Sequence, residues 1–88
     1  MFVKGSKMHF DDMVLYYKPT CPYCVKVLTF MEVYGINMEM RDTYDPANLD
    51  ELLRINGRSQ VPCLVIDGKP MLESDDIIAY LRSRVEAH

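Results

Sequence analysis

A short apolar run, Met13-Val14-Leu15-Tyr16-Tyr17, is followed closely by Cys21-Pro22-Tyr23-Cys24 and then by Val25-Lys26-Val27-Leu28-Thr29-Phe30-Met31. The first run has the composition of a buried strand. The segment after it places apolar residues at Cys24, Val27, Leu28, Met31 and Tyr34, the spacing of one helical face, and stops at Gly35. Ile36, Met38 and Met40 then alternate with Asn37, Glu39 and Arg41, the period of a half-buried strand. Two strands joined by a helix pair in parallel with a right-handed crossover, so the first half of the chain is committed to an α/β arrangement.

The strand-to-helix junction is also where the chemistry concentrates. A thiolate is the reactive form of cysteine, and a free cysteine with a pKa of ~8.5 is mostly protonated at neutral pH. A helix N-terminus presents unpaired N–H groups and a partial positive charge, both of which favour an anion. Pro22 suits the first turn because no helical hydrogen bond is lost there. Lys18, three residues before Cys21, can add a full positive charge. Cys21 is therefore placed as a nucleophile. Cys24, one turn further and on the apolar face, is expected to be more buried and less acidic.

The second half continues the alternation. Asp45-Pro46 is a helix start, Leu49, Leu52 and Leu53 supply an apolar face, and Gly57 marks the stop. Cys63-Leu64-Val65-Ile66 reads as a strand, Asp67-Gly68 as a hairpin turn, and Lys69-Pro70-Met71-Leu72 as a partner strand that Pro70 keeps to an edge. Ser74 is expected to cap a last helix, with Asp75 and Asp76 in its positive first turn and Ile77, Ile78, Leu81 and Val85 facing the core. Residues 1–12 show no period and are expected to be a loose, flexible extension, with the ordered domain spanning 13–88.

Composition narrows the function. One domain of 88 residues is too small to divide. A formal net charge of −3 speaks against general nucleic-acid binding, which needs a basic face. No apolar run approaches the ~20 residues of a membrane span, and Met1–Asp12 lacks the apolar core of a secretory signal. The expected location is the cytoplasm. Three cysteines do not make a disulfide scaffold, so the Cys-x-x-Cys pair reads as redox or metal chemistry in a reducing compartment. Zinc commonly needs four ligands, and only Cys63 and His9 could join the pair apart from carboxylates, so no metal is expected. Cys63 itself reads as a small buried strand residue.

Taken together, Lys18-Pro19-Thr20-Cys21-Pro22-Tyr23-Cys24, Gly57-Arg58-Ser59-Gln60-Val61-Pro62, Asp67-Gly68 and Ser74-Asp75-Asp76 resemble the dithiol glutaredoxins, over residues 13–86. The resemblance implies a thioredoxin fold of glutaredoxin type, a four-stranded mixed sheet with three helices in the order βαβαββα. It also implies a cis bond between Val61 and Pro62 beside the nucleophile. Leu72-Glu73-Ser74 departs from the pattern, which commonly has a Gly-Gly pair there, and is closer to the glutathione-binding end of glutathione transferases.

By that resemblance the activity is glutathione-dependent thiol–disulfide exchange, with Cys21 and Cys24 catalytic and glutathione as co-substrate. Val61, with Pro62, would hold the cysteinyl backbone of glutathione. Ser74 and Asp75 would hold the γ-glutamyl end, Glu73 sharing or replacing Asp75. Lys18 and Arg58 would take the glycyl carboxylate, and Tyr23 would flank the sulfur. Expected partners are glutathione and glutathionylated or disulfide-containing proteins, with the chain itself a monomer. The alternative within the same resemblance is a glutathione-binding iron–sulfur cluster carrier with little turnover.

Overall fold

The computed structural model describes residues 8–87. Its elements are β1 (Met8–Tyr17), α1 (Pro22–Tyr34), β2 (Ile36–Asp42), α2 (Pro46–Asn56), β3 (Cys63–Ile66), β4 (Lys69–Met71) and α3 (Ser74–Glu86). The sheet order is β2-β1-β3-β4. β1 and β2 are parallel, while β1 with β3 and β3 with β4 are antiparallel. This is the thioredoxin fold. No helix among the described residues is long and apolar enough to cross a membrane.

Side-chain alternation along the two central strands divides the core into two layers. Met13 and Leu15 of β1 and Leu64 of β3 pack with Val27 and Met31 of α1 and with Ile77 and Leu81 of α3. Their neighbours Tyr16, Cys63 and Val65 point the other way, onto Leu52 of α2. Helix α2 is further tied down by polar contacts. The Tyr16 hydroxyl donates to Glu51 Oε1, and Arg41 Nη1 donates to the same oxygen at 2.9 Å.

Local signals mark most element ends. Gly35 and Gly57 close α1 and α2 in the left-handed conformation, at φ 67° and 77°. Asp45 caps α2 by accepting from the Ala47 N–H at 3.0 Å. Asp67 and Gly68 both take positive φ, the geometry of a tight hairpin turn. Pro70 lies in β4, an edge strand, where its missing N–H costs no ladder bond.

Two expectations are corrected. β1 starts at Met8, so the stretch 8–12 is not a loose extension; residues 1–7 lie outside the described residues. Met8 and His9 pair with Ile36 and Asn37, after which the register shifts and Phe10 to Met13 stand opposite Met38 alone. That bulge breaks the period of two, which is why no strand pattern shows there. Phe10 is only 5% exposed. Arg84 of α3 lies over its ring and pairs with Asp12 at 3.1 Å, closing the start of the strand onto the last helix.

The second correction concerns Ser74. It is the first residue of α3 rather than its cap, and it is buried. Glu73 takes the cap position with φ 74° and ψ 114°, and no side chain caps the helix. The turn at Glu73 brings Ser74 inside the first helical turn, where its backbone already follows the helix. A non-glycine residue in such a conformation costs about 1–3 kcal/mol and persists where the surroundings over-determine it.

Candidate active site

Cys21 sits at the N-cap of α1, with φ −82° and ψ 124°, and Pro22 follows at the first helical position. The Cys21 carbonyl accepts from the Val25 N–H at 2.9 Å, and its own N–H donates to the Lys18 carbonyl at 3.1 Å. The thiol lies against the backbone N–H groups of Tyr23 and Cys24 in the first turn of the helix. Partial burial pulls its pKa up. The backbone N–H groups of Cys24 and Tyr23, the Cys24 side chain and the charge of Lys18 outweigh that pull, and the pKa falls below the ordinary value.

Cys24 is the opposite case. It is fully buried, and its sulfur accepts from the Lys18 N–H at 3.4 Å. Burial is the main cause that pushes its pKa up to about 11, and the neighbouring Cys21 adds to the rise, against the Lys18 N–H. All three cysteines are free thiols. The pair therefore combines one partly exposed thiol of lowered pKa with one buried thiol of raised pKa.

Cys63 stands apart from both. It lies on the α2 side of β3, packed with Tyr16, Leu52 and Val65, and burial raises its pKa from 9.0 to about 11. Among the described residues no group of three or more His, Cys, Asp or Glu side chains comes together to hold a metal ion.

The raised thiols carry a pH consequence. Both are acids with a folded pKa above the unfolded one, so the native state keeps protons that the unfolded chain has already lost. Stability is complete below the unfolded thiol pKa and falls as pH rises from about 9 toward 11. Each thiol contributes on the order of 2 kcal/mol to that loss. Urea unfolding of the reduced protein at pH 8 and pH 10.5 is expected to show the drop, and Cys63→Ala is expected to make it shallower. An unchanged pH dependence in Cys63→Ala would contradict the assigned burial cost.

Beside the N-terminal ends of α1 and α3 lies a groove of about 430 Å³, lined by Tyr23, Lys26, Gln60, Val61, Pro62, Glu73, Ser74 and Asp75. The Val61–Pro62 bond in its wall is cis. Tyr23 is 64% exposed. Of the binding residues expected from the sequence, the groove gathers Tyr23, Val61, Pro62, Glu73, Ser74 and Asp75. Lys18 and Arg58 are not in its lining. Lys18 instead lies with its ammonium 5.6 Å from the centre of the Tyr44 ring, and Arg58 is exposed in the loop after α2.

Two features had no counterpart in the sequence reading. Lys26 of α1 lines the groove and pairs with Asp75 of α3. Its position two residues after Cys24, on the side of α1 away from the core stripe, was the available signal. Tyr44, in the loop after β2, shares a 2.6 Å hydrogen bond with Thr20 and carries Lys18 over its ring. It steadies the segment that leads into Cys21. Nothing in the local pattern around Tyr44 points to that contact.

Fold and thiol pair together define a protein of the thioredoxin superfamily with a cysteine pair at the start of its first helix. The glutathione S-transferase N-terminal domain family matches residues 15–88, and the chain belongs to it. Glutaredoxin 3 of Escherichia coli K12 is 30% identical over 69 residues, which cover 77% of this chain and 83% of that protein. The hybrid peroxiredoxin hyPrx5 of Haemophilus influenzae is 29% identical over 70 residues, covering 80% of this chain but only 29% of that protein. Among solved structures, glutathione transferase Omega 3C from Trametes versicolor superimposes with a TM-score of 0.73 at 28% identity, over 88% of this chain and 35% of that one. The chain thus spans about a third of the peroxiredoxin and transferase chains and most of the glutaredoxin. These matches support a glutathione-related thiol oxidoreductase.

Proposed function

We propose that this chain is a glutathione-dependent disulfide reductase that acts first on mixed disulfides between glutathione and a substrate thiol. The observation that carries this reading is the placement of Cys21, partly exposed and of lowered pKa, at the start of α1, with Tyr23 of the same helical turn lining the groove. The Cys21 thiolate attacks the glutathionyl sulfur. The old S–S bond breaks, the substrate leaves as a thiolate that takes a proton from water, and Cys21 is left glutathionylated. The thiolate of a second glutathione attacks the glutathionyl sulfur of this new disulfide, releasing glutathione disulfide and the Cys21 thiolate. The lowered pKa helps in both steps, because it gives Cys21 more thiolate than an ordinary cysteine has and makes it a better leaving group.

For a protein disulfide, Cys21 forms the mixed disulfide and Cys24 resolves it, closing a Cys21–Cys24 bond as the substrate leaves with two electrons and two protons. Glutathione then reduces that bond. Cys24 is suited to wait because its raised pKa leaves it protonated until the first attack draws it in. Within the groove, Val61, Ser74, Asp75 and Glu73 would hold glutathione as the family resemblance implies.

The test is steady-state reduction of a small glutathione mixed disulfide, with glutathione as reductant and regeneration coupled to NADPH oxidation. Turnover that saturates in glutathione is expected. No turnover, or equal turnover with a simple thiol that lacks the γ-glutamyl and glycyl groups, would overturn the reading.

A further inference from the structure

The loop between β2 and α2 reaches the segment that leads into Cys21, and Tyr44 is the residue that makes the contact. Behind Tyr44 the loop is fastened to the end of β1. Thr43 is buried, and its N–H and hydroxyl both donate to the Tyr17 carbonyl, at 2.9 and 3.3 Å. The Tyr44 N–H donates to Asp42 Oδ1 at 2.9 Å. On this fixed base the Tyr44 side chain meets two residues at once. Its hydroxyl shares a hydrogen bond with Thr20 Oγ1 at 2.6 Å, and the Lys18 ammonium lies 5.6 Å from the centre of its ring.

Tyr44 is 59% exposed, so it buries too little apolar surface to serve the core. Both of its partners belong to the approach to the thiols. Thr20 directly precedes Cys21, while the Lys18 carbonyl accepts the Cys21 N–H and the Lys18 N–H donates to the Cys24 sulfur. A lysine side chain in water spreads over many rotamers. An aromatic face attracts a cation modestly at an exposed site, and the ring thereby gathers a charge that would otherwise disperse. We propose that Tyr44 is a positioning residue for the thiol step, holding the Lys18 ammonium and the Thr20 side chain in fixed places beside Cys21. This rests on the reading of Cys21 as the attacking thiol. Burial pulls the Cys21 pKa up, and the Lys18 charge, after the N–H groups of Cys24 and Tyr23, is among the influences that bring it down. The average position of that charge therefore bears on how much thiolate Cys21 carries. The other titratable groups around the cluster are Cys24 beside the thiol and, at the foot of the loop, Asp42 and Asp45, which accept from the Tyr44 and Ala47 N–H groups.

The test is the pH dependence of Cys21 alkylation by iodoacetamide in the reduced full chain. It compares wild type with Tyr44→Leu, Tyr44→Phe, Lys18→Met and the double variant of Lys18→Met with Tyr44→Leu. Tyr44→Leu is expected to raise the Cys21 midpoint by about 0.3–0.5 pH unit, the size of one exposed charge contact. Lys18→Met should raise it at least as far. Tyr44→Phe keeps the ring and should retain most of the lowering. Adding Tyr44→Leu to Lys18→Met should move the midpoint no further, because the effect passes through the lysine.

An unchanged or lowered midpoint in Tyr44→Leu would overturn the proposal, even if urea unfolding showed a loss of stability, since Tyr44 would then only brace the loop. So would a shift that persists in full in the Lys18→Met background. A wild-type midpoint no lower than that of free cysteine measured alongside would overturn the functional reading and the proposal with it. A lowered wild-type midpoint that Tyr44→Leu leaves in place overturns the proposal alone.

Discussion

Cys21→Ser is expected to lower turnover of a glutathione mixed disulfide by more than about a thousandfold, since a serine hydroxyl is not ionised at neutral pH and no other exposed thiol replaces it. Cys24→Ser is expected to keep that turnover within a few-fold of wild type. Its loss should fall on protein disulfides, where the resolving thiol is needed. The asymmetry follows from the two environments. Cys21 stands at the helix start with a lowered pKa, while Cys24 is buried with a pKa of about 11. Serine at position 24 is near in size to cysteine and can still accept the Lys18 N–H that the sulfur now accepts. The measurement is the coupled assay on both substrate types. Equal loss from both substitutions would contradict the division of labour.

The second large effect concerns stability. Leu15 lies in β1, which pairs with both β2 and β3, and it is fully buried in the layer shared by α1 and α3. Leu15→Ala removes apolar atoms and leaves a cavity that the surrounding strands cannot close. The expected cost is about 3–4 kcal/mol, against a total of about 4–13 kcal/mol for a chain of this size. Urea unfolding should show the midpoint falling sharply with the slope unchanged. Val33→Ala on the exposed face of α1, at 71% exposure, serves as the comparison and should change stability by less than about 0.5 kcal/mol. A cost below 1 kcal/mol for Leu15→Ala would mean that the core is not packed as described.

What the sequence made legible was mostly local. Asp45-Pro46, Gly35, Gly57 and Asp67-Gly68 each dictate backbone geometry within a few residues, and each is found where its chemistry requires it. The cysteine pair was legible for the same reason, since the helix whose first-turn N–H groups lower the Cys21 pKa begins at the next residue. Features that depend on distant parts of the chain were not. The start of β1 was hidden by a bulge whose Asp12 pairs with Arg84, 72 residues further on. The direction of Cys63 follows only from its register opposite Tyr16. Lys26 and Asp75 lie 49 residues apart, and their pairing requires the packing of α1 against α3 that no local pattern states.

Ser74 illustrates the same limit from the other side. Serine before two acidic residues is a good cap on local grounds, yet the positive φ at Glu73 moves the cap by one residue. The unusual backbone belongs to a residue that lines the groove, next to Ser74 and Asp75. Local preference favours a serine cap at that position, and the backbone found there is different.

The most direct test of the account is the rate at which iodoacetamide alkylates the reduced protein between pH 4 and pH 10, with the modified residue identified by peptide mass. The account predicts that Cys21 reacts first, with a midpoint below that of free cysteine, and that Cys24 and Cys63 stay unmodified near neutral pH. A Cys21 midpoint at or above that of free cysteine measured alongside, or labelling of Cys24 before Cys21, would contradict it.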